Sequence, residues 1–344
     1  MTSSAMPTPD AAVTSGASAS WPEVNLHVVS GKGGTGKTTV AAALALELAR
    51  HGRRTLLVEV EGRQGIAQLF DTPPLPYEER KVAVAPGGGE VYALAIDAQD
   101  ALLDYLESFY NLRRAGSALR RMGAVDFVTT IAPGLRDVLL TGKAIEVVRR
   151  KEKHASDAYD AVILDAPPTG RITKFLNVNS EMSGLAKAGP IHKHADLVMS
   201  VIASPQTAVH IVTLLEEMPV QETIDGIADL RDNSLPVGGV IVNMTRPPVL
   251  TDRELAMAAK GTLPPAAIRS SLERAGLAAH ENEILPALMR EASDHSQRVA
   301  LERREMTRIE ELGLPTAVLP LLADGVDLGG LYELAELLGE AGLR

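Results

Sequence analysis

The 344-residue chain contains no cysteine. That absence removes disulfides, thiolate metal sites and thiol nucleophiles together, and it fits a reducing cytoplasm. Long apolar runs are missing too: no stretch of about 18 uncharged apolar residues occurs, so no membrane span is expected. Positive charge is in short supply, with 34 Lys and Arg against 44 Asp and Glu and a net charge of −10. Such a balance makes a poor phosphate-backbone binder, and no nucleic acid partner is expected. The longest basic run, Arg149-Arg150-Lys151, reads as a solvated helix end. Residues 1 to about 22 have neither a basic leader nor an apolar core, so they read as a disordered tail rather than a secretory signal. No internal repeat is evident. With 45% hydrophobic residues and a mean hydropathy of +0.05, the chain should be globular and soluble, with length for one large domain or two small ones.

What is present is concentrated between Val24 and Arg50, VNLHVVSGKGGTGKTTVAAALALELAR. A short apolar strand runs to Val29. Gly31 to Thr38 then matches G-x-x-x-x-G-K-[ST], and an Ala- and Leu-rich segment without Gly or Pro predicts a helix. Gly33, Gly34 and Gly36 let the backbone turn so that several N–H groups, that of Thr35 among them, face one anion. The helix beginning near Lys37 adds its positive end. Lys37 would reach the β- and γ-phosphates and Thr38 would sit on Mg²⁺, while Thr39 offers a further hydroxyl. Gly31 to Gly36 also satisfies G-x-G-x-x-G, with Glu59 or Glu61 near the end of the next strand, which superficially fits a dinucleotide fold. Lys37-Thr38 directly after the last Gly has no use there and suits a triphosphate with its metal.

Further strands are expected at Arg54–Val60, Val91–Ile96, Ala161–Leu164, Leu197–Ile202, Val240–Val242 and Thr316–Leu319. Helical stretches are expected at Ala101–Leu112, Leu135–Val148, Ile172–Lys187, Thr207–Met218, most of 251–313, and Leu331–Leu338. The alternation predicts an α/β fold with a doubly wound, mainly parallel sheet. The ATPase domain would cover 23–344, with a helical subdomain inserted at about 98–155 and 172–194. Asp165, at the end of a buried strand, is placed to hold a metal-bound water. Gly170 offers a backbone N–H to the γ-phosphate, which makes Asp165 to Gly170 a candidate switch loop.

Ser30 to Thr39, with Lys32 ahead of the usual lysine, resembles the deviant phosphate loop of SIMIBI-class ATPases. Asp165-Ala-Pro-Pro-Thr-Gly-Arg171 looks like the second switch of the ArsA/guided-entry branch. Ala95-Ile96-Asp97 and Ala132-Pro133-Gly134 resemble motifs of that branch's helical subdomain. The resemblance covers about Val24 to Leu338 and is strongest to the paired ArsA-type ATPases of actinobacteria. It implies an Mg²⁺-dependent ATPase, a P-loop hydrolase using ATP and ADP, built as a nucleotide-sandwich dimer with itself or with a paralogous subunit. It also implies that Lys32 reaches the partner's phosphates, that Asn243 reads adenine, and that Pro320 lies in a loop lining the base.

Two departures qualify this. Where the family has an aspartate that orients the attacking water, this chain has Glu61-Gly62-Arg63-Gln64. Glu61 remains a carboxylate able to polarise water, one methylene longer, and is the expected catalytic base alongside Lys32 and Lys37. A low-turnover regulatory subunit is the alternative; a ParA- or MinD-like partitioning ATPase is a third reading. Lacking cysteine, the chain has neither the zinc-bridged dimer contact nor the thiolates for arsenite. His192 and His194 read as surface residues. The helical stripes leave open a groove for a hydrophobic client helix, for protein targeting or transport. The acidic terminal helix, with Glu333, Glu336 and Glu340, speaks against a lipid anchor.

Overall fold

A computed structural model describes residues 23–110, 133–152, 157–177, 190–277, 281–323 and 325–343. They form two compact units. The smaller comprises Leu215–Glu217 and Arg246–Glu311; the rest of the described chain makes the larger.

The larger unit is built on an eight-stranded sheet. Its strands are β1 (Leu26–Gly31), β2 (Arg54–Glu59), β3 (Arg80–Val84), β4 (Glu90–Ala95), β5 (Ala161–Asp165), β6 (Thr207–Thr213), β7 (Val237–Thr245) and β8 (Thr316–Pro320). They lie in the order β3-β4-β2-β5-β1-β6-β7-β8, parallel except for the antiparallel β3–β4 edge. The expected α/β class with a mainly parallel sheet is what the chain forms. β1 and β5 are buried along their whole length because helices cover both faces. Helix α1 (Lys37–Leu48) follows β1 and is buried from Val40 to Leu48. Its Ala-rich sequence has no polar face, since it packs between the sheet and the terminal helix Leu328–Glu340. That fixes the start of α1, where Lys37 and Thr38 sit.

The other helices of this unit, in chain order, are α2 (Gly65–Leu69), α3 (Ala98–Tyr110), α4 (Pro133–Glu152), α5 (Thr169–Leu176), α6 (Pro190–Ile202) and α7 (Glu217–Asp232), whose first residue belongs to the smaller unit. Contacts join α4 to α3, α5 and α6. Residues 111–132, 153–156 and 178–189, with Met122, Ala132 and Met182, lie outside the described residues, as does the tail 1–22.

Two expectations are exchanged in the structure. Leu197–Ile202 is the end of helix α6 rather than a strand, and Thr207–Thr213 is strand β6 rather than a helix. A six-residue apolar run cannot tell buried helix from strand by periodicity. The β-branched content of TAVHIVT, after the Ser204-Pro205 break, carries the strand preference. The edge strand β3 was not foreseen either, because its RKVAV sequence is exposed at three of five positions.

The smaller unit contains α8 (Asp252–Ala259), α9 (Pro265–Arg274) and α10 (Glu281–Glu310). Thr251 and Glu254 form a reciprocal capping box at the start of α8, and Pro265 opens α9. Arg303 of α10 pairs with Asp252 of α8 at 2.5 Å. The terminal helix of the larger unit is α11 (Leu328–Glu340).

His27 of β1 and His210 of β6 are fully buried, with Nδ1 and Nε2 3.1 Å apart and rings stacked. Burial pushes both below the usual histidine range, His210 to about 4, and like charge on His210 further lowers the affinity of His27 for a proton. Unfolding therefore takes up protons below the unfolded value near 6.5, so stability falls as pH drops from there toward 4. Asp165, raised to about 6 by burial, acts in the opposite sense in the same window. Thermal melts at pH 7.5 and 5.0 should show a lower midpoint in acid, and a larger drop in Asp165→Asn. A midpoint unchanged by pH in that variant would count against the pair.

Candidate nucleotide site

The loop from Gly31 to Gly36 closes on one carbonyl. Lys32 O accepts from Thr35 N at 3.3 Å, from Thr35 Oγ1 at 2.9 Å and from Lys37 Nζ at 3.4 Å. Gly36 takes φ +85° at the N-cap of α1, where no side chain caps the helix. The first amides of α1 are thus left to an external acceptor. A Cβ on Gly33 or Gly34 would meet no heavy atom within 4 Å, so the outer wall of the loop faces open space. Thr39 follows on the same helix.

Thr38 Oγ1 donates to Asp165 Oδ2 at 2.7 Å, joining the start of α1 to the end of β5. Lys37 lies beside them. Burial lowers its affinity for a proton, opposed by the negative charge of Asp165 and Glu61. Asp165 is raised to about 6, first by burial and also by Glu59 and Glu61, while Thr38 and Lys37 pull it down. A buried carboxylate crowded by other carboxylates, with a hydroxyl at hydrogen-bond distance, suits a hard divalent cation such as Mg²⁺.

Glu61 lies in the loop after β2, with its carboxylate 3.6 Å from Arg63. Lys32 pairs with Glu222 of α7 at 2.8 Å. The Asn243 amide donates to Thr35 O at 2.9 Å, so this residue of β7 braces the phosphate loop from the side. Pro320 ends β8, and Leu321 N bonds Thr245 O at 2.8 Å beside it. Gly170 lies in the first turn of α5, and a Cβ there would meet open space.

Three further residues shape the site. Glu59 is buried at the end of β2 and accepts from Gln64 N at 2.5 Å and Ile66 N at 3.2 Å, fixing the path of the Glu61 loop. Sequence offered Glu59 only as part of a rejected dinucleotide pattern. Ser30 Oγ donates to Pro167 O at 2.7 Å and ties β1 to the loop after Asp165. Glu222 gives no signal in sequence, being one acid of an amphipathic helix. Gln64 turns away: its amide exchanges two hydrogen bonds with the Leu75 backbone. His192 pairs with Asp196 and His194 packs on Tyr105, and among the described residues no cluster of three metal-ligating side chains occurs. The basic run at the end of α4 is engaged within the fold. Arg150 contacts Glu79, and Lys151 contacts Asn25 and the Asp160 carbonyl.

A parallel sheet whose first strand leads through this glycine loop into a helix opening Lys-Thr, with an acid ending the adjacent strand, defines a P-loop NTPase. A family model described as "Anion-transporting ATPase" matches residues 24–204. The chain is 52% identical to "ATPase BagA" of Mycobacterium tuberculosis over 333 residues, 96% of this chain and 98% of that protein. It is 27% identical to "ATPase GET3" of Kluyveromyces lactis over 249 residues, 62% of this chain and 70% of that one. To the "Arsenical pump-driving ATPase" of Acidiphilium multivorum it is 25% identical over 250 residues, 67% of this chain and 41% of that one. The chain belongs to the anion-transporting ArsA family of ATPases, and it is an ATPase. Among the described residues no helix is long and apolar enough to cross a membrane.

Proposed function

We propose that the chain is an Mg²⁺-dependent ATPase that hydrolyses ATP to ADP and phosphate in a cytoplasmic nucleotide-sandwich dimer, with itself or with a paralogous subunit. The observation that carries this is the convergence of Lys37, Thr38 and Asp165 at the open mouth of the glycine loop. Amides of Gly33 to Thr38 bind the phosphates. Lys37 leaves its 3.4 Å contact with Lys32 O for the β- and γ-oxygens. Thr38 and Asp165 would hold Mg²⁺, which when bound would supply positive charge against the phosphate oxygens. Glu61 takes a proton from the attacking water as the bond between the γ-phosphorus and the bridging oxygen breaks. Gly170 offers its N–H to the γ-phosphate, and Asn243 and Pro320 flank the base. Lys32 exchanges Glu222 for the partner's phosphates when the dimer closes.

Closure would then open and shut the helical subdomain at about 98–155 and 172–194, where a hydrophobic client helix would be handled in protein targeting or transport. Lack of cysteine argues against metalloid as the cargo.

The low-turnover regulatory reading has two observations behind it: Glu61 faces Arg63, and its loop is pinned by Glu59. Single-turnover hydrolysis by Glu61→Gln decides between them. The expected loss is about 10²-fold, with ATP affinity kept. Equal rates in both proteins would remove Glu61 as the base.

A further inference from the structure

A second concave site adjoins the first. Between the loop after β2, the first turn of α4 and the loop entering α5 lies a cleft of about 130 Å³. It is lined by Glu61, Arg63, Arg136, Asp137, Pro167 and Arg171, among others. The three guanidinium groups come from three separate elements and outnumber the two carboxylates. Arg63 to Glu61 is 3.6 Å and Arg171 to Asp137 is 3.7 Å, longer than hydrogen bonds, while Arg136 has no ion pair among the described residues. Forked N–H donors therefore face the cleft with their strongest contacts unmade.

Size narrows the ligand. Nucleotide and cofactor sites run to roughly 300–1,000 Å³, which excludes a second nucleoside. One water needs roughly 10–15 Å³, so a five-heavy-atom oxyanion fits with water to spare. Place narrows it further. Glu61 and Pro167 belong both to this cleft and to the loops read as facing the γ-phosphate.

We propose that this cleft binds orthophosphate, holding the hydrolysis product after it leaves the γ-position and before it reaches solvent. Arg136 and Arg171 grip the anion, and Arg63 closes over it. The proposal rests on the placement of Glu61 and Gly170 beside the γ-phosphate, but phosphate binding itself can be measured without turnover. Phosphate and sulfate share the same charge-assisted chemistry, whereas chloride lacks the oxygens for forked contacts.

The full-length chain, saturated with Mg-ADP to occupy the glycine loop, is titrated with orthophosphate by calorimetry and followed by ³¹P line broadening. Arg136 is exposed, so Arg136→Ala should melt with the wild-type protein. The expected result is a tenfold or greater loss of phosphate affinity in Arg136→Ala and a smaller one in Arg136→Lys, which keeps charge without the fork. Product inhibition of ATP turnover by added phosphate should weaken in parallel. Equal phosphate affinity in wild type and Arg136→Ala would overturn the site, as would binding that disappears once ADP fills the loop. Loss of hydrolysis in Glu61→Gln with phosphate binding retained would leave the cleft standing, whereas a fully active Glu61→Gln variant would fault only the reading of the first site.

Discussion

Lys37→Ala should leave a folded protein with no measurable ATP turnover and nucleotide affinity reduced by more than about 10²-fold. Among the described residues the ammonium makes a single hydrogen bond, to Lys32 O at 3.4 Å, so its loss costs the apo fold little. Burial has already weakened its hold on a proton, which means the site bears a desolvation cost that only nearby negative charge offsets. Asp165 and Glu61 offset part of it, and phosphate oxygens would offset more. Removing a charged donor from a phosphate costs roughly 1.5–3 kcal/mol in binding, and losing charge stabilisation in the transition state costs a further 10²–10³ in rate. Lys37→Arg should rescue little, because a planar fork does not fit where a point charge is needed. Isothermal titration with Mg-ATP, beside a thermal melt within about 2 °C of wild type, separates this from unfolding. Wild-type affinity in Lys37→Ala would mean that nucleotide sits elsewhere.

Much of this site is legible in the amino-acid sequence itself. Gly31 to Thr38 specifies strand, turn and helix together because each residue type has a backbone or chemical reason to be there. Asp165 was findable as an acid closing an apolar strand. What could not be read were features set by contacts distant in sequence. Leu197–Ile202 and Thr207–Thr213 exchanged helix for strand because six or seven residues are too few for periodicity to tell the two apart. Glu222 meets Lys32 only through the packing of α7, 190 positions away. The contact of the Asn243 amide with Thr35 O likewise follows from how β7 lies against the glycine loop and has no local signal in the chain. The Arg63, Arg136 and Arg171 group is invisible in sequence for the same reason: its members are spread from position 63 to position 171.

Gly31→Ala and Gly33→Ala should fail in different ways, and the contrast tests whether the loop is shaped by the fold or by its ligand. A Cβ on Gly31 would stand 2.2 Å from the Val212 carbonyl oxygen and 3.0 Å from Thr35 Oγ1. The first is backbone of the neighbouring strand, paired with Gly31 in the parallel ladder, and it cannot yield without parting β1 from β6. Overpacking of that kind costs about 3 kcal/mol, so the melting midpoint should fall by roughly 4 °C or more, with nucleotide affinity lost alongside. Gly33 has no positive φ, and its Cβ would meet nothing within 4 Å. Gly33→Ala should therefore melt with wild type. If phosphate lies against that open face, the added methyl stands where an anion must approach the amides, and affinity for Mg-ATP should drop at least tenfold. A Gly33→Ala protein that binds ATP as tightly as wild type would move the phosphates away from the outer wall of the loop. One that unfolds would show that the loop is held by packing not seen around Gly33.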